Sequence, residues 1–268
     1  MAELVFVKLG GSLITDKMRE SRARPELIAR LGEEMAHALA AREDLKLLIG
    51  HGSGSFGHVA AQRYHVQTGC SDWQGYAETS AAALRLNRIV ADQLLRAGLP
   101  VVTIQPSASA RASAGQLQHM DCFPIQEVLQ HNLIPLVFGD VALDKEWGTT
   151  IISTESIFAH LAAVMHPQRI ILVGEVAGVF SGDPHLDPAA QLIPVIQAGR
   201  SKLWDHALGG SNAIDVTGGM RSKVQEMARL VRCVPGLRVL LLGGLQEGLL
   251  ERSLTDPASN PGTLIQDK

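Results

Sequence analysis

Cysteine is scarce in this chain. Cys70, Cys122 and Cys233 are the only three in 268 residues, and they form no C-x-x-C pair. That spacing excludes a disulfide framework or a thiolate zinc site and predicts isolated thiols in a reducing compartment. Net charge is equally slight: 24 Lys and Arg against 27 Asp and Glu leave −3, too little to bind nucleic acid by bulk charge. No apolar run approaches the roughly 20 residues that cross a bilayer. The opening, MAELVFVKLGGS, is acidic rather than basic, and its apolar stretch is short for a secretory signal. These absences predict a cytoplasmic protein with no nucleic-acid or membrane partner. Internal repeats, low-complexity tracts and strong linkers are also missing, which predicts one domain over 1–268.

What is present is an alternation of short apolar runs and longer amphipathic segments. Leu4 to Val7, Leu45 to Ile49, Val101 to Ile104, Ile134 to Phe138, Ile170 to Val173 and Val239 to Leu242 read as strands. Between them, Arg24 to Arg42 carries Leu27, Leu31, Met35 and Leu39 at every fourth position, one stripe of a helix, with Pro25 in its first turn. Helices are also predicted over Tyr76 to Ala97, Ile157 to Met165 and Arg221 to Val231. Val141 to Leu143 and Thr149 to Ile152 suit a hairpin around Lys145 to Gly148. Thr263 to Ile265 is expected as an edge strand, and Ser107 to Gln118 as a flexible excursion. Strands apolar on both faces and separated by helices imply an α/β, three-layer αβα sandwich around a central, mainly parallel sheet. Ligands of such sheets bind beyond the carboxyl ends of the strands.

Those strand ends carry the chemistry. The first is followed by Lys8-Leu9-Gly10-Gly11-Ser12 and then Lys17. Paired glycines let backbone N–H groups approach a phosphate, and a lysine closing a doubly buried strand needs an anion. The second is followed by Gly50-His51-Gly52-Ser53-Gly54-Ser55-Phe56-Gly57-His58, a nest of N–H donors that is neither a Walker A nor a dinucleotide fingerprint. Gly139-Asp140 and Ile152-Ser153-Thr154-Glu155 end later strands; Ser153 reads as a helix N-cap. Thr217-Gly218-Gly219-Met220 leads into a helix bearing Lys223. Each loop alone has a plain turn or capping reading. Together they suit phosphoryl transfer, which needs positioning and charge neutralisation more than covalent chemistry.

Across nearly the whole chain these residues resemble the amino-acid kinase superfamily, and within it the isopentenyl phosphate kinases. The glycine loop ending in His58 is the most specific part. The resemblance implies ATP and Mg²⁺ as cofactors, isopentenyl phosphate as acceptor and a homodimer. It implies an acceptor-binding half over about 1–165 and a nucleotide-binding half over about 166–268. Lys8, Lys17, His58 and Glu155 would be catalytic. Ser53, Gly54, His58 and Thr154 would meet the acceptor. Lys8, Gly10, Gly11, Ser12, Gly54, Glu175, Gly219 and Lys223 would meet the nucleotide, and no protein carboxylate cage for a metal is expected. Two positions depart from the family: Ser53 replaces the middle of three glycines, and Ser153-Thr154-Glu155 stands for Ser-Gly-Asp. A fosfomycin kinase, or a catalytically silent nucleotide-binding regulator, are the alternatives the residues leave open.

Overall fold

The structure, a computed structural model, describes residues 2–16, 19, 21–57, 73–182, 184, 186–187, 189–199 and 220–267. Lys17, His58 and Gly219 lie outside the described residues. An eight-stranded sheet forms the centre, in the order β10-β12-β11-β9-β1-β2-β6-β3. Its strands are β1 (Glu3–Leu9), β2 (Leu45–His51), β3 (Val101–Thr103), β6 (Ile134–Phe138), β9 (Arg169–Gly174), β10 (Val195–Gln197), β11 (Arg238–Gly243) and β12 (Thr263–Gln266). Neighbours from β3 to β11 pair in parallel, whereas β12 runs antiparallel to β11. The chain builds outward from β1 to one side through β2, then returns to add β9 and β11 on the other. β1 therefore stands where the strand order reverses, the place at which such sheets bind ligands.

Alternation along β1 sorts its side chains between two helical layers. Val5, Val7 and Leu9 face a core completed by α1 (Gly11–Ile14), α2 (Pro25–Ala41), α3 (Trp73–Arg96) and α7 (Leu249–Thr255). Phe6 faces the opposite core, with α4 (Phe123–Gln130), α5 (Thr154–Met165) and α6 (Met220–Cys233). The predicted three-layer sandwich is what the chain adopts.

A second sheet, β5-β4-β7-β8, comprises β4 (Arg111–Ser113), β5 (Gln116–His119), β7 (Asp140–Asp144) and β8 (Gly148–Ile152). β7 and β8 form the expected hairpin. The segment from Ser107 to Gln118, expected to be flexible, is instead a hairpin set beside β7. A distant carboxylate accounts for it. Asp144 accepts N–H bonds from Ala114 at 3.1 Å and Gly115 at 2.7 Å in one turn, and from Glu146 and Trp147 at 2.9 Å in the other. Four such bonds lower the carboxyl pKa against the effect of burial. The expected edge strand is also corrected: β12 is interior, flanked by β11 and β10, and β10 takes the edge. Ser153 caps α5 as predicted, its Oγ accepting from Ser156 N at 3.0 Å, and the helix begins at Thr154, three residues ahead of the apolar pattern.

Candidate active site

The site grows from the match between one strand and one helix. Residues two apart on β1 share a face, and residues three apart on α5 share a side. Phe6 meets the Phe158 ring at 5.1 Å between centroids. One step toward the carboxyl edge, Lys8 meets Glu155, with Nζ 2.5 Å from Oε1. Gly50, paired with Lys8 across β2, makes room for this: a Cβ there would lie 2.7 Å from both Phe158 and Thr154. Lys223, near the start of α6, brings its Nζ to 3.3 Å from the same Glu155 oxygen. Glu155 thus reaches two lysines from different elements.

Lys8 and Glu155 are both buried. Burial alone would raise the Glu155 carboxyl, but the charges of Lys8 and then Lys223 outweigh it and bring its pKa to about 2. Burial pushes the Lys8 ammonium below its ordinary value; Glu155 opposes that shift and Lys223 adds to it. Glu226, one turn beyond Lys223, joins the cluster. Burial first, then the Glu155 charge, push its carboxyl up, with Lys8 and Lys223 pulling the other way.

Beside this cluster the two glycine loops interlock. A Cβ on Gly11 would sit 2.6 Å from the Gly54 nitrogen, and one on Gly52 would sit 2.8 Å from the Gly11 nitrogen. Gly54 has φ +50°, a left-handed conformation. The glycines were expected to open space for phosphate; the structure adds that they let the loops pack backbone to backbone. Thr15 fastens them, its Oγ1 donating to Gly11 O at 2.7 Å and accepting from Ser55 N at 3.0 Å. Gly10 closes against β9, its N–H reaching Val173 O at 2.8 Å. The N–H groups of Gly11, Ser12, Ser53 and Gly54 find no acceptor among the described residues. Four free amides and two lysines on one edge make a site for anions.

Other predicted residues take defined places. Thr154 is enclosed: its hydroxyl donates to His51 O at 2.6 Å and its methyl lies 2.7 Å from where a Gly50 Cβ would be. Any influence on an acceptor therefore passes through the end of β2. Glu175 follows β9 and receives Arg24 Nη1 at 3.3 Å, while that nitrogen also lies 3.3 Å from Leu13 O. Arg24, His51, Thr15 and Glu226 were missed as site residues. Glu226 had a signal, an acid three positions after Lys223 on the same helix; Arg24 and Thr15 had none.

The sequence matches the amino acid kinase family over residues 3–239. The chain belongs to that family. Among curated members, this amino acid kinase is similar to the isopentenyl phosphate kinase of Methanothermobacter thermautotrophicus, 34% identical over 94% of this chain and 95% of that one. It is similar to that of Haloferax volcanii at 34% over 98% of both. A solved isopentenyl phosphate kinase superposes with TM-score 0.83 at 32% identity, covering 98% of this chain and all of the other. A product complex of the Thermoplasma acidophilum isopentenyl phosphate kinase gives 0.78 at 25%, with 98% and 100% covered.

Proposed function

We propose that this amino acid kinase transfers the γ-phosphoryl group of ATP to isopentenyl phosphate, giving isopentenyl diphosphate and ADP. One observation carries the reading: Lys8 and Lys223, from opposite ends of the chain, converge on one buried Glu155 oxygen beside four amides that have no acceptor among the described residues. A pair of cations held by a single carboxylate is an electropositive site kept rigid, and it suits charge that spreads over phosphoryl oxygens. The relatives described as isopentenyl phosphate kinases supply the acceptor.

In the proposed reaction an oxygen of the acceptor phosphate attacks the γ-phosphorus in line, and the bond to the β–γ bridging oxygen breaks. The electron pair leaves with ADP. The attacking oxygen is already anionic, so no general base is required. Lys8 and Lys17 neutralise charge on the transferring group, and Glu155 orients Lys8 and Lys223. The Ser53 and Gly54 amides, with His58, hold the acceptor phosphate. Gly10, Gly11 and Ser12 face the nucleotide phosphates, with Gly54, Glu175, Gly219 and Lys223 on the same side. Mg²⁺ would arrive on the nucleotide and would supply charge neutralisation at its phosphates, alongside the lysines and amides. The α3 segment from Tyr76 to Leu86 is proposed as a wall for the acceptor's tail. A cytoplasmic homodimer is proposed as the working form, checked by light scattering.

A coupled ADP-release assay over small phosphates, phosphonates and amino acids tests the reading. Isopentenyl phosphate should exceed fosfomycin, glutamate, aspartate and carbamate by a wide margin. Turnover of fosfomycin in its place points to the phosphonate kinase, and nucleotide binding without any turnover points to a silent regulator.

A further inference from the structure

β2 ends in a histidine that the proposed reaction does not use. His51 is fully buried and stacks on Phe138 of β6, with centroids 5.6 Å apart and planes at 13°. Its Nδ1 lies 3.0 Å from Gly52 O. Its Nε2 lies 3.1 Å from Asn87 Oδ1 on α3, and Asn87 Nδ2 donates to Thr103 Oγ1 at the end of β3 at 3.0 Å. The His51 carbonyl also accepts from Thr154 Oγ1 at 2.6 Å and Gly139 N at 3.0 Å. An apolar side chain could stack on Phe138 equally well, so a satisfied polar network at this depth calls for a role in orientation.

Peptide geometry supplies that role. In a trans peptide the C=O and the following N–H point in opposite directions. A hydrogen bond from His51 Nδ1 draws the Gly52 carbonyl toward the ring and so turns the Ser53 N–H away from it. That N–H is one of the four amides left without an acceptor among the described residues. We infer that His51 is a positioning residue whose neutral imidazole, protonated at Nδ1, fixes the Gly52–Ser53 peptide so that the Ser53 amide faces the acceptor anion. This tautomer requires the Asn87 amide turned over, its oxygen and nitrogen exchanged, so that Nδ2 gives an N–H to Nε2 and Oδ1 accepts the Thr103 hydroxyl. The opposite tautomer would set the Nδ1 lone pair against the Gly52 carbonyl. Burial lowers the tendency of the ring to charge, the Gly52 bond pulls the other way, and the nearby Lys8 lowers it further. The inference rests on reading this loop as the acceptor site.

The test combines spectroscopy with kinetics on the full chain. In ¹⁵N-histidine-labelled protein, long-range ¹H–¹⁵N correlations should show His51 neutral and protonated at Nδ1 across about pH 5 to 8. His51→Leu and Asn87→Leu should raise KM for isopentenyl phosphate about tenfold, the loss of one hydrogen bond to a charged group. KM for ATP and kcat should move less than about twofold. His51→Asn, which returns an N–H near the Nδ1 position, should recover most of the acceptor affinity. An Nε2–H tautomer overturns the inference, and so do variants that shift both substrates and kcat alike. Wild-type enzyme inactive on isopentenyl phosphate instead overturns the acceptor reading, and the imidazole spectrum still decides the tautomer.

Discussion

Gly11 and Gly54 stand so close that a Cβ on the first would lie 2.6 Å from the amide nitrogen of the second. Two loops that approach their ligands from β1 and β2 are thereby one rigid object. Gly11→Ala forces them apart and should destabilise the fold by about 1–3 kcal/mol, the usual range for overpacking. Activity should fall by more than the stability loss explains, because the four amides lose their common alignment. Gly52→Ala attacks the same contact from the other side, its Cβ 2.8 Å from the Gly11 nitrogen. The double variant should therefore cost less than the sum of the two singles, measured by denaturant unfolding. Full additivity would mean the loops pack independently.

Lys8 and Glu155 form a buried ion pair, so removing either has two effects. Lys8→Met and Lys17→Met should each lower kcat by about 10²–10⁴, with a smaller change in KM for ATP, if the charges act mainly in the transition state. A raised KM at constant kcat would reduce these lysines to uniform binders. Glu155→Gln should lower kcat and also destabilise the protein by about 3–5 kcal/mol, since it leaves a buried ammonium without its partner. The pH dependence has a definite sign. Glu155 titrates at about 2 in the fold against an ordinary 4.5, so its contribution is complete above 4.5 and is lost as pH falls toward 2. Wild-type unfolding followed down this range should steepen where that of Glu155→Gln does not. Lys8 is likewise shifted down, from its ordinary 10.5, by burial, so kcat/KM should fall on the alkaline side below the usual lysine range, and Lys8→Met should abolish that limb.

Much of this arrangement was open to reading along the chain. Lys8 stood out because it closes a strand apolar on both faces, and both glycine loops stood out because they follow such strands. The strand–helix alternation likewise carried the three-layer sandwich. The order of the last strands was not legible, since β12 enters between β10 and β11 through long-range pairing that no local pattern encodes. The hairpin at Arg111 to His119 was hidden for a related reason: the carboxylate that satisfies its turn, Asp144, is some 30 residues away. Within the site, Glu155 was marked by family resemblance alone, because an acid in the first turn of a helix is commonly only a favourable dipole partner. That it meets Lys8 follows from packing Phe158 on Phe6, a fact of three dimensions.

Glu226 predicts a further pH effect. The groups around it are Glu155 on α5, Lys8 on β1, and Lys223 and Arg229 on α6 itself. With Glu226 protonated, Lys8, Lys223 and Glu155 together carry one net positive charge; once it ionises, the four groups cancel. Its raised pKa means that the protonated form persists above the ordinary carboxylate range and is lost as pH rises through the shifted value. An arriving phosphate favours the positive cluster, so nucleotide binding should take up protons at mildly acidic pH. Calorimetric titration in buffers of different ionisation enthalpy measures that uptake, and Glu226→Gln should remove it. Uptake unchanged in the variant would assign the proton to another group.

His58 is the residue on which the choice of acceptor turns. It lies outside the described residues, and the argument for it is positional. The loop that leads to it begins at His51, at the end of β2, and β2 pairs directly with β1 in parallel. The Gly10-Gly11 loop belongs to the nucleotide in the proposed reaction, as does the segment around Gly219 and Lys223. The anion held from Ser53 onward is then the second substrate. A histidine closing that loop can donate to a phosphate oxygen, more strongly when protonated. Losing such a bond costs about 1.5–3 kcal/mol. His58→Ala should therefore weaken use of isopentenyl phosphate about tenfold or more while KM for ATP barely moves, and His58→Gln should recover part of the loss. Steady-state kinetics with each substrate varied in turn separates the outcomes. If His58→Ala raises KM for ATP and spares the acceptor, the two loops hold the opposite ligands from those assigned here.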